Sequence, residues 1–258
     1  MVKCTETKFI ISNMERMMKI AAIVPAHNEE ASIEAVVDEI NKLARLTSLN
    51  IDVIVVDDRS TDRTRDIISS LQCISLLLPI NLGIGGAVQT GFKYAFSDDY
   101  DFAIQIDGDG QHPAVDIPAM LKAQAEHGWD VVIGSRFIYN QGYQSTIARR
   151  IGIKYFEVMN RIMTGKRIHD STSGFRLLNK KALRIVSKYY PDDYPEPEAI
   201  VLFRRNGLNI GEVQVTMRER QGGESSINFL SSVYYMLKVS LAIIYTSLRL
   251  VSLNARSH

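Results

Sequence analysis

The amino-acid sequence predicts an α/β domain whose mostly parallel, Rossmann-like sheet has helices on both faces. Short apolar runs typical of buried strands alternate along the chain with segments whose apolar residues recur at helical spacing. Acidic residues also cluster where two of the apolar runs end, and the carboxyl ends of the strands are where open α/β sheets bind their ligands. These residues are Asp57, Asp58, Asp107 and Asp109.

The alternation can be followed element by element from residue 19. Five strands are predicted, in the segments KIAAIVP (19–25), IDVIVV (51–56), CISLLLP (73–79), YDFAIQI (100–106) and WDVVIGS (129–135). Helices are predicted over residues 29–45, over residues 83–97 and from about Asp116 to His127. A further helix is predicted to begin after a cap at Ser60 or Thr61 and to end at about Leu71. Helices of this length between strands are typical of parallel crossovers.

Composition and charge exclude several classes of protein. A formal net charge of +1 over 258 residues provides no basic excess for a broad nucleic-acid interface. The two cysteines, Cys4 and Cys73, fit neither a disulfide framework nor a metal site, which favours a reducing compartment. Residues 1–18 lack the apolar run of a secretory signal and are expected to form an irregular leader.

Two aspartates lie two positions apart in the segment DGDGQHP (107–113), after the fourth predicted strand. Like charges this close destabilise each other, so a bound cation is expected between them. In an extended segment residues i and i+2 face the same side, so Asp107, Asp109 and Gln111 can converge on one point. Their oxygen atoms suit Mg²⁺ or Mn²⁺ rather than zinc. His112 either orders the turn or touches the ligand.

Six segments in chain order resemble the successive motifs of family 2 glycosyltransferases: IVPAHNEE, VVDDRSTDRT, NLGIGGAVQTGFKYA, DGDGQHP, GSRF and DSTSGFRLLNKKAL. The resemblance runs from about Lys19 to Ser226 and is greatest to the synthases of dolichyl- or polyprenyl-phosphate sugars. It implies a GT-A fold and a metal-dependent transfer, normally with inversion. The donor would be a UDP- or GDP-sugar and the acceptor a polyprenyl phosphate.

The resemblance also assigns roles to individual residues of this chain. The positions that would contact the nucleotide are Pro25, His27, Glu29, Asp57 and Gly108. Asp107 would lie near the ribose and the metal, while Asp109 and Gln111 would hold Mg²⁺ or Mn²⁺ at the diphosphate. The cation would neutralise the charge that develops on the leaving group.

The acceptor determines which further side chains are needed. A phosphate monoester is largely dianionic near pH 7, so it needs cations to orient it but no general base. The arginines that resemble phosphate-binding positions of the family are Arg136, Arg150 and Arg220. Arg149 and Arg218 are expected to be solvated surface residues. Asp170 either positions the loop that it opens or, as the resemblance implies, lies on the acceptor side. Arg176 either takes part on the acceptor side or braces the loop that begins at Asp170.

Two alternative functions remain open at this point. Ser226 stands where the family's final motif often has a lysine, which removes one cation. The acceptor could then be a sugar hydroxyl of a growing polysaccharide, with Glu196 or Glu198 as the general base. Alternatively, these glutamates have only a structural role at the start of a helix, where negative charge is favourable and where Pro195 and Pro197 stiffen the chain. The other alternative is a non-enzymatic scaffold subunit that binds sugar nucleotides.

A nicotinamide-dependent enzyme is not expected, although the segment NLGIGGAVQTG contains several glycines. Gly83 and Gly85 match the first two glycines of the dinucleotide fingerprint, but Val88 occupies the third position. The segment also follows the third strand rather than the first.

The last apolar segment, residues 227–248, has Lys238 as its single charge. In helical projection a narrow polar stripe lies beside a wide apolar face, which favours a helix in the membrane interface over a helix that spans the membrane. The stripe consists of Ser231, Lys238, Tyr245 and Arg249. The alternative is a helix packed on the domain or on a second copy of the chain.

The expected organisation is a leader (1–18), a glycosyltransferase domain (19–226) and a membrane-associating helix (227–258). Such an enzyme would be cytoplasmic and peripheral at the inner face of the membrane, where an anionic leaflet attracts basic residues. A homo-oligomer or a small membrane-protein partner is left open.

Overall fold

The computed structural model describes residues 18–139, 147–192, 195–218 and 229–248. These ranges contain one sheet of seven strands, in the spatial order β3-β2-β1-β4-β6-β5-β7. The strands are β1 (Lys19–Ala26), β2 (Asn50–Asp57), β3 (Ile74–Leu77), β4 (Phe102–Gln105), β5 (Val131–Ser135), β6 (Arg176–Asn179) and β7 (Ile210–Gln214). The five predicted strands are therefore present, and two more follow them.

The helices of the described ranges are α1 (Ile33–Thr47), α2 (Thr64–Ser70), α3 (Gly83–Ser97), α4 (Ile117–His127), α5 (Ile147–Thr164), α6 (Lys180–Val186), α7 (Pro195–Arg205) and α8 (Phe229–Leu248). A 3₁₀ turn at Ala114–Asp116 precedes α4. The predicted cap of α2 was wrong, because the helix begins only at Thr64. Asp62 Oδ1 accepts hydrogen bonds from the Thr64 backbone N–H (3.0 Å) and hydroxyl (2.6 Å), whereas the Ser60 hydroxyl accepts one from Asn28.

Both faces of the sheet are covered, as the sequence predicts. In β1, Ala21 and Ile23 face one side and Ile20, Ala22 and Val24 face the other, and all five are fully buried. The first side packs against α3, α6 and α7, and the second against α1, α2 and α4. Apolar residues on both faces explain why these strands have continuous apolar runs rather than alternation.

Strand β6 is antiparallel to both of its neighbours, β4 and β5, and was not predicted. Its first residue, Arg176, pairs with Gln105 on one side and with Ile133 on the other. Since the neighbouring strands run the other way, the beginning of β6 lies at the edge where the parallel strands end. The loop that precedes β6 therefore reaches the ligand-binding edge.

The glycines of α3 are explained by close packing. A Cβ atom on Gly85 would lie 2.1 Å from the Pro191 carbonyl oxygen, and one on Gly91 would lie 2.3 Å from Ile23 Cγ2. The Gly85 N–H also donates to the Asp192 carbonyl. These glycines thus let α3 approach the segment before α7 and the sheet.

Helix α8 packs on α5 and α7 through a small apolar cluster that includes Phe156, Val201, Val239 and Ile243. Its opposite side carries large apolar side chains that are 62–75% exposed, namely Leu237, Leu241, Tyr245 and Leu248. Tyr245 of the expected polar stripe thus lies among exposed leucines, Lys238 is partly buried, and the side chains of Ser231 and Arg249 lie outside the described residues. In the described part of the chain, no helix is both long and apolar enough to cross a membrane.

Candidate active site

The carboxyl ends of β1, β2 and β4 form what we call the parallel rim, residues 25–29, 57–60 and 107–112. A pocket of about 310 Å³ opens at this rim. It is lined by Pro25, Ala26, His27, Glu29, Asp58, Asn81, Gly83, Ile84, Ala87, Asp107, Gly108 and Asp109. Four of these residues are acidic, and no lysine or arginine of the described ranges lines the pocket.

His112 orders the DGDGQHP turn, the first of the two roles expected for it. Its ring nitrogen Nδ1 accepts a hydrogen bond from the Asp107 backbone N–H (3.1 Å), and Nε2 lies 3.7 Å from the Asp107 carboxylate. The ring is 6% exposed and stacks on Phe175, with 5.0 Å between the ring centroids. Since Nδ1 is the acceptor, the neutral ring carries its proton on Nε2, facing Asp107.

Asp109 and Gln111 lie on the same loop, and a hydrogen bond joins them. The Gln111 backbone N–H donates to Asp109 Oδ1 (3.0 Å), and the Gln111 side-chain nitrogen donates to the carbonyl of Arg218 (3.4 Å). The described residues contain no group of three or more His, Cys, Asp or Glu side chains suited to a metal ion. Two carboxylates and one amide oxygen nevertheless fit Mg²⁺ or Mn²⁺, which bind few protein oxygens and complete their shell with water and substrate phosphates.

Four of the five predicted nucleotide contacts line the pocket: Pro25, His27, Glu29 and Gly108. His27 Nδ1 donates to the carbonyl of Asp58 (2.8 Å), which fixes the ring at the rim. A Cβ atom on Gly108 would lie 2.9 Å from the Pro25 carbonyl oxygen, so this position requires a residue without a side chain.

The prediction for Asp57 needs correction. Its carboxylate is fully buried and accepts hydrogen bonds from the Ser60 backbone N–H and from Arg65 Nε. Asp57 therefore joins the end of β2 to α2 and does not line the pocket. The neighbouring Asp58 does, while its Oδ1 accepts a hydrogen bond from the Leu82 N–H (2.6 Å). Successive strand residues face opposite sides, so only one of two adjacent aspartates can reach the pocket.

Beside the parallel rim lies what we call the antiparallel flank, residues 135–136, 169–176 and 195–198. Arg136 and Asp170 form a buried ion pair here: Nε and one terminal nitrogen of Arg136 each lie 2.7 Å from an Asp170 oxygen. Asp170 also accepts the backbone N–H of Arg136 (3.1 Å). Burial alone would lower the pKa of Arg136, but the hydrogen bonds and charge of Asp170, with the charge of Asp107, raise it overall.

The ion pair corrects the prediction for Arg136. Its bidentate face is occupied by a carboxylate of the chain, so Arg136 is not presented to a phosphate in this structure. Arg176 has the bracing role that the sequence suggested. It is 1% exposed and donates hydrogen bonds to the carbonyls of Ser173 (2.8 Å), Ser171 (3.1 Å) and Glu196 (2.7 Å).

The two glutamates considered as bases are separated by the structure. Glu198 accepts a hydrogen bond from Thr246 of α8 (2.6 Å) and does not line the rim pocket. Glu196 lies on the rim side, where burial raises its pKa to about 7; the charge of Arg176 opposes this rise and that of Asp107 adds to it. The Gln105 amide links the two acids, since it donates to Asp107 (3.3 Å) and also hydrogen-bonds to Glu196.

The remaining arginines fall into three groups. Arg150 is exposed on α5. Arg220, like Ser226, lies outside the described residues, as does the side chain of Arg149. Arg218, expected to be solvated, is partly exposed but forms a bidentate ion pair with Glu39 at 2.6 and 3.0 Å.

Sequence reasoning missed Gln105 and the Glu39–Arg218 pair. Gln105 is a polar residue in an otherwise apolar strand, which is a signal that could have identified it. Glu39 and Arg218 are 179 positions apart, and no local pattern connects them.

Comparisons with known proteins identify the family of the chain. The family model of glycosyl transferase family 2 matches residues 21–186, more than half of the chain. A UDP-N-acetylglucosamine–dolichyl-phosphate N-acetylglucosaminyltransferase of Methanococcus voltae is 30% identical over 217 residues, covering 76% of this chain and 84% of the relative. An undecaprenyl-phosphate 4-deoxy-4-formamido-L-arabinose transferase of Proteus mirabilis is 26% identical over 248 residues, covering 94% and 73%.

A solved structure supports the fold. Glucosyl-3-phosphoglycerate synthase of Mycobacterium tuberculosis, crystallised with Mn²⁺, UDP and glucosyl-3-phosphoglycerate, superposes with a TM-score of 0.66. It is 20% identical, and the match covers 91% of this chain and 80% of that one. The family and the named relatives are glycosyltransferases, which contradicts the alternative of a non-enzymatic scaffold. The chain belongs to glycosyl transferase family 2 and is a glycosyltransferase of the GT-A fold.

Proposed function

We propose that this glycosyltransferase transfers one sugar, with inversion, from a UDP- or GDP-sugar to a polyprenyl phosphate, using Mg²⁺ or Mn²⁺. The two relatives are named for transfer to dolichyl phosphate and undecaprenyl phosphate, which supports this acceptor class. Residues 19–226 would form the catalytic domain and residues 227–258 a membrane-associating segment.

The observation that carries the proposal is the sign of the charge at the parallel rim. Glu29, Asp58, Asp107 and Asp109 line one pocket without a lysine or arginine among its described lining residues. Such a pocket repels a nucleoside diphosphate unless a cation lies between them. Asp109 and Gln111, with Asp107, would hold the divalent cation, which supplies charge neutralisation for the departing diphosphate.

The chain's own residues bind and orient the donor. The first turn of α3 borders the pocket at Gly83 and Ile84, and a helix N-terminus favours an anionic group. Pro25, His27, Glu29 and Gly108 would contact the nucleoside. A polyprenyl phosphate is already anionic and attacks without a general base, so the acceptor side requires cations. Arg150 and Arg220 remain the candidates, because Arg136 is paired with Asp170.

The test is the isosteric variant Asp109→Asn, which preserves the oxygen that accepts the Gln111 N–H. With undecaprenyl phosphate, a labelled donor and Mn²⁺, the wild type should form a lipid-linked sugar and the variant should lose turnover by at least about 100-fold, as expected when charge stabilisation of the leaving group is removed. Glu126→Gln, an exposed residue of α4, is the matched charge-removal control. Near-normal turnover by Asp109→Asn would overturn the metal assignment.

A second candidate, transfer to a sugar hydroxyl, is favoured by Glu196. A general base works best when its pKa is close to the working pH, and burial raises the pKa of this side chain to about 7. Glu196→Gln distinguishes the candidates. A phosphate acceptor needs no base and should tolerate the change, whereas a hydroxyl acceptor should lose activity by roughly 100-fold or more.

The exposed side of α8 supports an association with the membrane. Leu237, Leu241 and Leu248 present apolar side chains to the solvent on a helix whose other side packs on the domain. The double variant Leu237→Ser/Leu241→Ser should bind vesicles of anionic phospholipid several-fold more weakly than the wild type. Val115→Ser, which replaces an exposed valine far from α8 in sequence, is the control. Equal sedimentation of all three proteins with the vesicles would argue against α8 as the anchor.

A further inference from the structure

Glu39 connects two segments that lie far apart in sequence. Its carboxylate, on α1, accepts two hydrogen bonds from the Arg218 guanidinium, at 2.6 and 3.0 Å. One of its oxygens also accepts the backbone N–H of Ala114 (3.0 Å). Ala114 directly follows the DGDGQHP loop, and Arg218 ends the described segment after β7. One side chain of α1 thus holds the exit of the loop and the segment beside it.

Arg218 closes this connection into a ring through its backbone. Its N–H donates to the carbonyl of Gln111 (3.0 Å), and its own carbonyl accepts a hydrogen bond from the Gln111 side-chain nitrogen (3.4 Å). A third link holds the same two segments together, since the Thr216 N–H donates to Asp116 (3.4 Å). The loop from Gln111 to Ala114 is therefore attached to Arg218 at one end and to Glu39 at the other.

The ring determines how the Gln111 amide is oriented. A carbonyl oxygen can only accept a hydrogen bond, so the side-chain nitrogen must face Arg218 and the side-chain oxygen must point elsewhere. Oxygen is the atom that a divalent cation requires. The contact with the Arg218 carbonyl therefore favours the amide orientation in which the oxygen atom is available to a cation.

We propose that Glu39 and Arg218 are positioning residues that orient the Gln111 side-chain oxygen and thereby set the affinity of the rim for a divalent cation. This inference rests on the proposed metal site. Exposed ion pairs contribute little to stability in general, and both side chains are partly exposed. The effect is therefore expected in metal binding and local loop protection more than in the overall stability of the fold.

The experiment measures Mn²⁺ affinity by electron paramagnetic resonance in the presence of saturating UDP, for the full chain and its variants. Loss of partners that orient metal ligands typically weakens metal affinity by about 10–100-fold, and we expect roughly tenfold for Arg218→Gln. Glu39→Gln retains an oxygen for the Ala114 N–H but loses the charged pair, so its effect should be smaller. Lys122→Gln removes a charge from an exposed ion pair on α4 and should leave the affinity unchanged.

A second measurement does not depend on any ligand. Amide hydrogen exchange of the metal-free protein should accelerate at Ala114 and Arg218 in Arg218→Gln and remain unchanged in Lys122→Gln. Arg218→Lys retains the charge but not the two-pronged contact, so it should be intermediate in both measurements.

The outcomes separate the two proposals. If the wild type binds no Mn²⁺ with UDP, the proposed metal site fails. If the wild type binds Mn²⁺ and Arg218→Gln binds it equally well, the positioning role is overturned, whether or not exchange accelerates. Faster exchange together with weaker Mn²⁺ binding supports the role.

Discussion

In the parallel rim, the carboxylates of Glu29, Asp58, Asp107 and Asp109 line an open pocket, whereas in the antiparallel flank the carboxylate of Asp170 is buried against a guanidinium. The charges of the rim repel one another and favour a cation from solution. In the flank the charge of Asp170 is neutralised within the chain, by Arg136. The difference agrees with the proposal that the rim binds a cation, while the flank holds a loop in place beside it.

The hydrogen bonds of the two regions support this distinction. In the rim, Asp109 and Asp58 accept hydrogen bonds from the backbone N–H groups of Gln111 and Leu82, and Asp107 accepts one from the Gln105 side chain. In the flank, Arg136 and Arg176 donate to groups 34 and 20 positions away, respectively. The rim carboxylates named here accept from uncharged donors, whereas in the flank the donors are guanidinium groups, which agrees with the difference in charge.

The largest expected effect tests the structural role of the flank. Asp170→Ala leaves Arg136 buried without its carboxylate, so the free energy of unfolding should fall by about 3–5 kcal/mol, as measured by urea denaturation. Asp99→Asn, at the exposed pair with Lys180, should not measurably change the midpoint. A double variant Arg136→Met/Asp170→Leu should recover part of the loss. If the Asp170→Ala variant were as stable as the wild type but inactive, Asp170 would instead take part in the reaction.

The next effect concerns pH. Glu196 has its pKa raised from 4.5 to about 7 in the folded protein, so between these values the native state holds a proton that the unfolded state has lost. The free energy of unfolding should therefore fall as the pH rises from about 4.5 to 7, by at most about 1.4 kcal/mol per pH unit. Glu196→Gln should flatten this slope in the metal-free protein, and Glu126→Gln should not. Parallel slopes for the wild type and Glu196→Gln would exclude a raised pKa.

A smaller effect tests the contact between the two regions. A Cβ atom on Gly174 would lie 2.9 Å from the Gln105 side-chain nitrogen and about 3.0 Å from the Asp107 carboxylate, so Gly174→Ala should displace the rim aspartate slightly. We expect kcat/KM for the donor to fall by roughly tenfold, because small misplacements of reacting groups are costly. A Cβ atom on Gly152 of α5 would have no neighbouring atom within 4 Å, so the Gly152→Ala variant should keep its activity. Equal activity of the two variants would show that the contact between Gly174 and the rim aspartate does not affect turnover of the donor.

The smallest effect is expected at α8. Thr246 donates to Glu198 at 2.6 Å across the α7–α8 interface, and Thr246→Val should reduce the free energy of unfolding by about 1 kcal/mol without changing the rim. Calorimetric unfolding and a donor-turnover assay would measure both quantities. Reduced turnover at unchanged stability would mean that α8 influences the site directly.

The sequence predicted the first half of the sheet well, because β1 to β5 are buried runs joined by helices and need only local patterns. Strand β6 was missed: its residues, RLLN, are too short for a period to be visible, and its direction is decided by pairing with β4 and β5. For the site, the pattern correctly placed Asp107, Asp109 and Gln111 on one loop at the sheet edge, and their role in metal binding stays a prediction. It could not distinguish Asp57 from Asp58, nor anticipate that Asp170 would occupy Arg136, since these depend on strand twist and on contacts between distant segments.

The antiparallel direction of β6 has a consequence for how such enzymes can diversify. The stretch 136–175 leaves the sheet at the end of β5 and returns at the start of β6, and the two attachment points are neighbours, with Gly134 N–H bonded to the Phe175 carbonyl (2.8 Å). Because its two ends are neighbours on the sheet, this excursion can change in length while every strand retains its register, provided that its contacts with α7, α8 and β7 are kept. We therefore expect chimeras exchanged between residues 136 and 175 to fold when these contacts are retained, and to inherit acceptor preference from the transplanted segment and donor preference from the recipient.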